Sequence, residues 1–469
     1  MLVEQHYLAC LSQASYLVVD EATKTALVID PRRDVDIYVQ RAKELGVTIR
    51  HVLLTHLHAD FVAGHLELVR RTGATVHLSG DAGAEYAHEV LVDGQTLEFG
   101  SVRLVVLETP GHTPESLCFL LFDLDVSDSV PHAVFTGDTL FIGDVGRPDL
   151  MSAAGHTATD LARRMFTSLQ TKLLPLPDET ILYPGHGAGS ACGKNLSSAT
   201  VCSIGQQRRT NYALQFTDVD EFVAAVTANQ LQAPAYFAYD AVMNKRERAN
   251  LDDALAEGLV GLTLDEFLAK RDAGAWVLDV RDAESFAAGH LPGSVNIPLG
   301  GRFASWVGSL LFEASEVVLV AESGLEREAA LRMGRVGMDR VVGFLQGGPG
   351  AFDQTREPLA TTTRIDPDDA ARLLGDSTRV HVLDVRMPGE FAAGHAEGAT
   401  HVPLAQLEQR LDELPRDRTL VLFCKTSYRS SIAASLLARH GITDTLDLRG
   451  GMDEWLARGL PTVVPAATH

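Results

Sequence analysis

Three observations in this 469-residue sequence predict a multidomain α/β chain. Over roughly the first 190 residues, short apolar runs of strand length are interspersed with helix-like segments, and polar loops carrying His and Asp stand at the strand ends. Further on, the sequence repeats itself. Trp276-Val-Leu-Asp279-Val-Arg281, then Glu284 to Gly289-His290, returns as His381-Val-Leu-Asp384-Val-Arg386, then Glu390 to Gly394-His395, with Asp279 and Asp384 105 residues apart and His290 and His395 likewise. Gly347-Gly348 likewise answers Gly450-Gly451. Copies of this length are whole domains rather than solenoid units. Within each copy strands alternate with helices, which argues a mainly parallel sheet wrapped by helices. The predicted organisation is a first domain over residues 1–250, a linker over 251–262, and two similar α/β domains over 263–360 and 361–469.

Taken in order, residues 15–30 hold two β runs about a polar turn, a hairpin. Asp34 to Leu45 reads as a helix stopped at Gly46, Ile49 to Leu54 as a buried strand, and Phe61 to Arg71 as a helix ending at Gly73. Strands are predicted at 75–78, 96–99, 102–107, 117–122, 133–135 and 180–183, and helices at 82–88 and 159–174. Residues 206–262 are mostly helical in pattern, chiefly at 219–229 and 239–255.

With 46% hydrophobic and 22% charged residues the chain is an ordinary globular protein. A net charge of -22 argues against nucleic acid or an anionic membrane surface as partner. The five cysteines are odd in number and irregularly spaced, so no disulfide framework is expected and a reducing cytoplasm is the expected compartment. The N-terminal Met-Leu-Val-Glu-Gln-His lacks a basic region followed by an apolar one, and no apolar run approaches the length of a membrane span; neither a signal peptide nor a transmembrane helix is expected.

Four short motifs carry the chemistry of the first domain. Thr55-His56-Leu57-His58-Ala59-Asp60 follows the strand at 49–54. Thr109-Pro-Gly-His112, Thr136-Gly-Asp138 and Tyr183-Pro-Gly-His186 each follow another strand. Imidazole and carboxylate gathered in Gly-rich loops at strand ends are how a chain assembles metal ligands on a rigid edge. Together, in this order, the motifs resemble the metallo-β-lactamase superfamily over roughly residues 1–250. The resemblance implies an αββα sandwich with the metal at one edge of its two sheets. The two-zinc hydrolases of that superfamily read His-x-His-x-Asp-His at the first motif. Phe61 stands at the last position here and cannot bind metal, so one metal held by His56, His112 and Asp138 is expected. Two imidazoles and one carboxylate suit non-haem Fe(II) and oxygen. The persulfide dioxygenase branch uses such a set, and Phe141 to Leu150 is similar to its loop after the ligand Asp. By that resemblance Arg147 and Tyr183 face the substrate. His58, Asp60 and His186 are expected to orient ligands or water. Cys192 is either a second reactive thiol or a buried inert one.

In the last repeat, the strand at 420–423 runs into Cys424-Lys-Thr-Ser-Tyr-Arg429 and then a helix. A short loop at a helix start gathers backbone N–H groups, and Lys425 and Arg429 add positive charge. A nucleophilic thiol of lowered pKa is expected there. The loop, the Asp384/Arg386 pair and Gly394-His395 resemble the rhodanese sulfurtransferases, which implies that Cys424 carries a persulfide sulfur, with Arg429 as its anion-binding partner. In the preceding repeat Ala321 falls at the position of Cys424 and Glu326 at that of Arg429, so an inactive copy is expected.

The combination implies oxidation of a low-molecular-weight persulfide by O2 at one Fe(II) per chain, giving sulfite, with sulfite or thiosulfate handled at Cys424. The competing expectation is a zinc-dependent, glyoxalase II-like thioester hydrolase. Small molecules are the expected partners, with no nucleic acid and no membrane, and a homo-oligomer is allowed.

Overall fold

In this computed structural model, residues 1–150, 155–230, 232–312, 316–375 and 378–464 are described. They fall into two units: Met1–Asp252 with Gly334–Gly337, and Asp253–Met333 with Met338–His469.

The first unit is built on two six-stranded sheets. One runs in chain order through β1 (Leu2–Leu8), β2 (Gln13–Asp20), β3 (Thr25–Ile29), β4 (Thr48–Leu53), β5 (Thr75–Ser79) and β6 (Glu89–Leu91). The other comprises β7 (Thr96–Phe99), β8 (Val102–Glu108), β9 (Leu117–Asp123), β10 (Ala133–Gly137), β11 (Ile181–Pro184) and β12 (Cys202–Ser203), also neighbours in sequence order. Strand alternation explains the layering. Tyr16, Val18, Leu27 and Ile29 point one way and meet Leu104, Val106, Phe119 and Phe135 between the sheets. Leu17, Val19 and Val28 point the other way, onto Tyr38 and Ala42 of the helix Asp36–Leu45. The second sheet turns Leu120, Val134 and Leu182 onto the helices Ala158–Ser168 and Val219–Thr227. This is the predicted αββα sandwich.

Three local expectations are corrected. The helix predicted from Phe61 begins only at His65 and ends at Thr72. Residues 61–64 stay in the loop because the Asn244 side chain donates to the carbonyls of His58 (2.7 Å) and Phe61 (2.8 Å) and accepts from the Ala63 amide (2.8 Å). No helix forms over 82–88. The chain makes one tight turn, Gly80–Ala82, ended by Gly83 in the left-handed region (φ 59), and then pairs as β6. The helical stretch 239–255 is two helices, Tyr236–Lys245 and Leu251–Gly258. Between them Arg248 turns inward and donates to Glu67, at 2.5 and 3.0 Å. The predicted linker 251–262 therefore contains a whole helix, Leu251–Gly258.

In the second unit β13 (Gly261–Leu262), β14 (Trp276–Asp279), β15 (Val295–Asn296), β16 (Val317–Val320) and β17 (Val341–Leu345) form a sheet ordered β13-β17-β16-β14-β15. The later copy repeats that order with β18 (Thr363–Ile365), β19 (Val380–Asp384), β20 (Thr400–His401), β21 (Thr419–Phe423) and β22 (Thr445–Leu448), as β18-β22-β21-β19-β20. Each strand pair in both sheets is parallel. The repeated motif is a structural staple. Arg281 forks onto Asp279 (3.0 and 2.6 Å) and caps the Gly289 carbonyl, as Arg386 does with Asp384 (2.9 and 2.6 Å) and Gly394. His290 stacks on Phe286 and His395 on Phe391, each at 3.7 Å between ring centroids. Among the described residues no helix is long and apolar enough to cross a membrane.

Candidate metal centre and persulfide loop

The strand-end loops of the first unit bring His56, His112 and Asp138 together. The Nε2 atoms of His56 and His112 lie 3.9 and 3.6 Å from Oδ2 of Asp138. All three side chains are buried, and both Asp138 oxygens lack a hydrogen-bond partner. An ionised carboxylate buried without a partner is costly, and a cation at this point removes that cost.

Tautomers are set by what the other ring nitrogens touch. Thr55 Oγ1 gives its proton to Asp30 (2.8 Å), so it accepts from His56 Nδ1–H at 3.0 Å. His112 Nδ1–H donates to the Arg147 carbonyl (2.9 Å), and His186 Nδ1–H to the Ser12 carbonyl (3.1 Å). Each Nε2 is thereby left as a lone-pair nitrogen aimed at the cluster. Burial, with the neighbouring imidazoles, holds His56 well below the usual histidine pKa, and burial lowers His112. Both are neutral imidazoles, the form that binds metal. The residues present fit a metal ion.

Close packing explains two glycines. A Cβ on Gly146 would lie 2.0 Å from the Asp138 carbonyl oxygen, and one on Gly185 would lie 2.5 Å from Asp138 Oδ1.

The remaining predicted residues divide. His58 Nε2 sits 3.1 Å from Asp30 Oδ1; burial lowers its pKa, but the charge and hydrogen bond of Asp30 together with the Asp138 and Asp60 charges outweigh this and the net shift is upward. Phe61 packs against the His58 ring, tilted by 34° with the ring centroids 4.3 Å apart. Asp60 Oδ2 lies 3.4 Å from His186 Nε2, which lies 3.6 Å from Asp138 Oδ1. Arg147 is buried, but its guanidinium forks onto Asp149, with both bonds at 2.7 Å. Its backbone does more for the site: the carbonyl orients His112, and the amide donates to the Cys192 carbonyl at 3.0 Å. Tyr183 packs between the sheets against Phe135 and Tyr16. Cys192 is buried, and burial with the nearby Asp60 and Asp138 charges pushes its thiol well above the ordinary value, which opposes nucleophilic reactivity.

Three positioning residues escaped the sequence reading: Asp30, Asn244 and Ser12. Asp30 alone left a signal, an acidic residue at the end of an apolar strand, with φ 50. Asn244 spans nearly the whole domain in sequence to hold the His58–Ala63 loop. Asn244→Ala is expected to cost about 2–3 kcal/mol by leaving buried backbone groups unpaired. It should loosen metal binding as well, checked by a thermal melt with and without added metal.

In the last copy Cys424 directly follows β21 and is fully buried. Its Sγ lies 3.3 Å from Ser430 Oγ. The loop carbonyls of Cys424 and Lys425 accept from the amides of Met452 (2.8 Å) and Asp453 (3.0 Å). The expected low thiol pKa is not found. Burial pushes it up, while Ser430 and the Arg429 charge pull the other way. Arg429 is held by both oxygens of Glu390 at 2.6 and 2.7 Å, so much of its charge is compensated. Ser427 occupies the left-handed region (φ 72), where a Gly is more usual, and donates to the Leu448 carbonyl at 2.7 Å. The helix Tyr428–Arg439 that follows docks on the preceding copy: Tyr428 donates to the Pro298 (2.8 Å) and Gly300 (3.0 Å) carbonyls, and Ser431 to Asn296 (2.6 Å). The alignment of the copies holds in three dimensions. A Cβ on Gly348 would strike the Ala321 carbonyl oxygen at 2.3 Å, as one on Gly451 would strike that of Cys424 at 2.5 Å.

The family model described as metallo-beta-lactamase superfamily matches residues 8–186, and that for the rhodanese-like domain matches 263–354 and 366–458. A metallo-beta-lactamase structure from Staphylococcus aureus subsp. aureus COL superposes with a TM-score of 0.65 at 31% identity, covering 73% of this chain and 98% of that one. A probable hydroxyacylglutathione hydrolase of Schizosaccharomyces pombe is 34% identical over 175 residues, 37% of this chain; the chain spans 62% of that relative's length. The mitochondrial persulfide dioxygenase ETHE1 of Bos taurus is 29% identical over 239 residues, 50% of this chain and 83% of the relative.

Proposed function

We propose, given that this chain belongs to the metallo-beta-lactamase superfamily and carries two rhodanese domains, that it oxidises a low-molecular-weight persulfide such as glutathione persulfide with O2, in the cytoplasm, as part of sulfide detoxification. The products are sulfite and the free thiol. A persulfide, O2 and water give thiol, sulfite and two protons, the terminal sulfur being oxidised and O2 reduced. One ferrous ion held by His56, His112 and Asp138 supplies the redox chemistry when bound. The observation that carries this reading is the convergence of two neutral imidazoles and one unpartnered carboxylate, with Phe61 in place of a further imidazole.

The chain's own residues prepare the reaction. Thr55 and the Arg147 carbonyl keep the lone pairs of His56 and His112 turned inward. Burial of all three donors keeps bulk water from competing for them. Arg147 and Tyr183 remain the proposed substrate-facing side chains, by resemblance.

At the second site Cys424 carries the sulfane sulfur. Sulfite attacks the outer sulfur of the Cys424 persulfide, the S–S bond breaks, the Cys424 thiolate leaves and thiosulfate forms; the reverse supplies persulfide. Arg429 braces the loop through Glu390 and lends residual positive charge. The first rhodanese copy, with Ala321 and Glu326 in the chemical positions, is inactive and supports the Tyr428 end of the Cys424 loop.

The second reading is a zinc-dependent thioester hydrolase, favoured by the hydroxyacylglutathione hydrolase relatives. Oxygen-electrode traces decide between them. Iron-loaded chain given glutathione persulfide is expected to consume O2 and release sulfite. Absence of uptake, with hydrolysis of a glutathione thioester by the zinc-loaded chain, overturns the proposal.

A further inference from the structure

Beside Cys424 lies a buried carboxylate to which the transfer step gives no task. Asp447, on β22, pairs with Leu422 of β21, two residues before Cys424, and is fully buried. The end of β22 is tied to the Cys424 loop: Ser427 donates to the Leu448 carbonyl at 2.7 Å, and the Met452 amide to the Cys424 carbonyl at 2.8 Å.

The carboxylate is only half satisfied. Arg364 Nε donates to Oδ2 at 2.9 Å, whereas Oδ1 is buried without a hydrogen-bond partner, which is costly for an ionised group. Ser430 adjoins both the carboxylate and the thiol. Its Oγ lies 3.3 Å from Cys424 Sγ. Burial pushes the Asp447 carboxyl up to about 6, and the Ser430 hydroxyl and Arg364 pull against that rise. The preceding copy lacks the whole set. In the register that puts Ala321 at the position of Cys424, Arg327 stands at that of Ser430, Phe344 at that of Asp447 and Gly261 at that of Arg364. Strand pairing confirms the last two, since Gly261 pairs with Phe344 as Arg364 does with Asp447.

We infer that Asp447 takes the Cys424 proton through the Ser430 hydroxyl when the thiol is loaded with sulfur, and returns it when the thiolate leaves. This proton path rests on the sulfur transfer proposed above for Cys424. In loading, the S–H proton passes to Ser430 Oγ while the Ser430 O–H proton passes to Asp447 Oδ1. The thiolate attacks the outer sulfur of thiosulfate, a new S–S bond forms, the old one breaks, and sulfite leaves with the electron pair. Discharge to sulfite runs the same steps backward. The thiol and carboxylate share a single negative charge throughout. Burial opposes losing the thiol proton to bulk water, but it does not oppose this exchange, because no further charge is created in the interior. The charged groups facing the pair are Arg364 from β18, Glu284 of the preceding copy behind it, and Arg429 from the loop.

As a bystander Asp447 has the opposite effect. Burial and the Asp447 charge both raise the thiol pKa, so removing that charge alone would make Cys424 easier to ionise. The two roles therefore predict opposite outcomes for Asp447→Asn. The test is sulfur transfer from thiosulfate to cyanide by the full-length chain, with alkylation of Cys424 read by mass spectrometry, both from about pH 5 to 9. The parent's transfer rate should fall as pH drops through about 6, where Asp447 takes a proton from solvent and can accept no other. Asp447→Asn should lose that acid limb and lower kcat at neutral pH roughly 100-fold at unchanged KM for thiosulfate, even though its thiol alkylates at lower pH than the parent's. Ser430→Ala, which leaves the Asp447–Arg364 pair intact, should be comparably slow, and Ser430→Thr, which keeps a hydroxyl, should recover most of the rate. Transfer by Asp447→Asn at or above the parent rate, or with the acid limb retained, overturns the inference while leaving Cys424 as the sulfur carrier. If Asp447→Asn does not fold, equal rates in Ser430→Ala and Ser430→Thr overturn it. A parent chain that forms no thiocyanate overturns the role of Cys424 itself, and this proton path with it.

Discussion

Asp138→Ala is expected to abolish persulfide-dependent oxygen uptake, by more than the roughly 10–100-fold that substitutions behind a metal ligand cost. Asp138 is the carboxylate within reach of both His56 and His112, and its loss leaves two imidazoles as the donor set. The stability of the metal-free chain should move the other way. Both Asp138 oxygens are buried and unpartnered, so removing the carboxylate from the metal-free protein relieves an unpaired buried charge. In the parent chain, metal at a hundredfold excess over its Kd should stabilise by about 2.7 kcal/mol. Thermal melts with and without iron therefore give a signature that a merely misfolded variant lacks: a metal-free transition no lower than the parent's, and no upward shift on adding metal. A metal-dependent shift of parental size in Asp138→Ala would show that the ion sits elsewhere.

Cys424→Ser is expected to eliminate thiosulfate formation from persulfide and sulfite while leaving oxygen uptake near the parent rate. A serine hydroxyl cannot carry a sulfane sulfur, so the effect on transfer is a loss rather than a reduction. The product balance should shift from thiosulfate toward sulfite. An unchanged ratio of the two would remove the proposed link between the sites. Because the Cys424 thiol is pushed up by burial and Arg429 is shared with Glu390, Glu390→Gln is a useful companion. Freeing the guanidinium should lower the thiol pKa and move the pH profile of sulfur transfer to lower pH, which thiol alkylation rates across pH would report.

Much of this was legible in the linear chain. Four His- or Asp-bearing loops, each behind an apolar strand, were legible because alternation and turn chemistry are local properties, and the family resemblance then singled out His56, His112 and Asp138 as the proposed ligands. The repeat exposed the loss of Cys and Arg at Ala321 and Glu326 by simple register, and the shared close approach of Gly348 and Gly451 agrees with that register. Helix boundaries failed where a distant side chain intervened, at Phe61 through Asn244 and near Arg248 through Glu67.

The amino-acid sequence by itself thus pointed to the order of the two domain types and the parallel-sheet copies, and through its family resemblance to the αββα layers, the proposed triad and the Cys424 loop. Only the tertiary structure decided what each donor faces. It brings Cys192 to His186, divides the two oxygens of Asp138 between different neighbours, occupies Arg429 with Glu390 and lays the half-buried Tyr183 ring against Phe135. The reason is physical. Strand and helix periodicity is set by neighbours a few residues away, whereas tautomers, ion pairs and shared ligands depend on side chains that meet only after two sheets have closed over a common core.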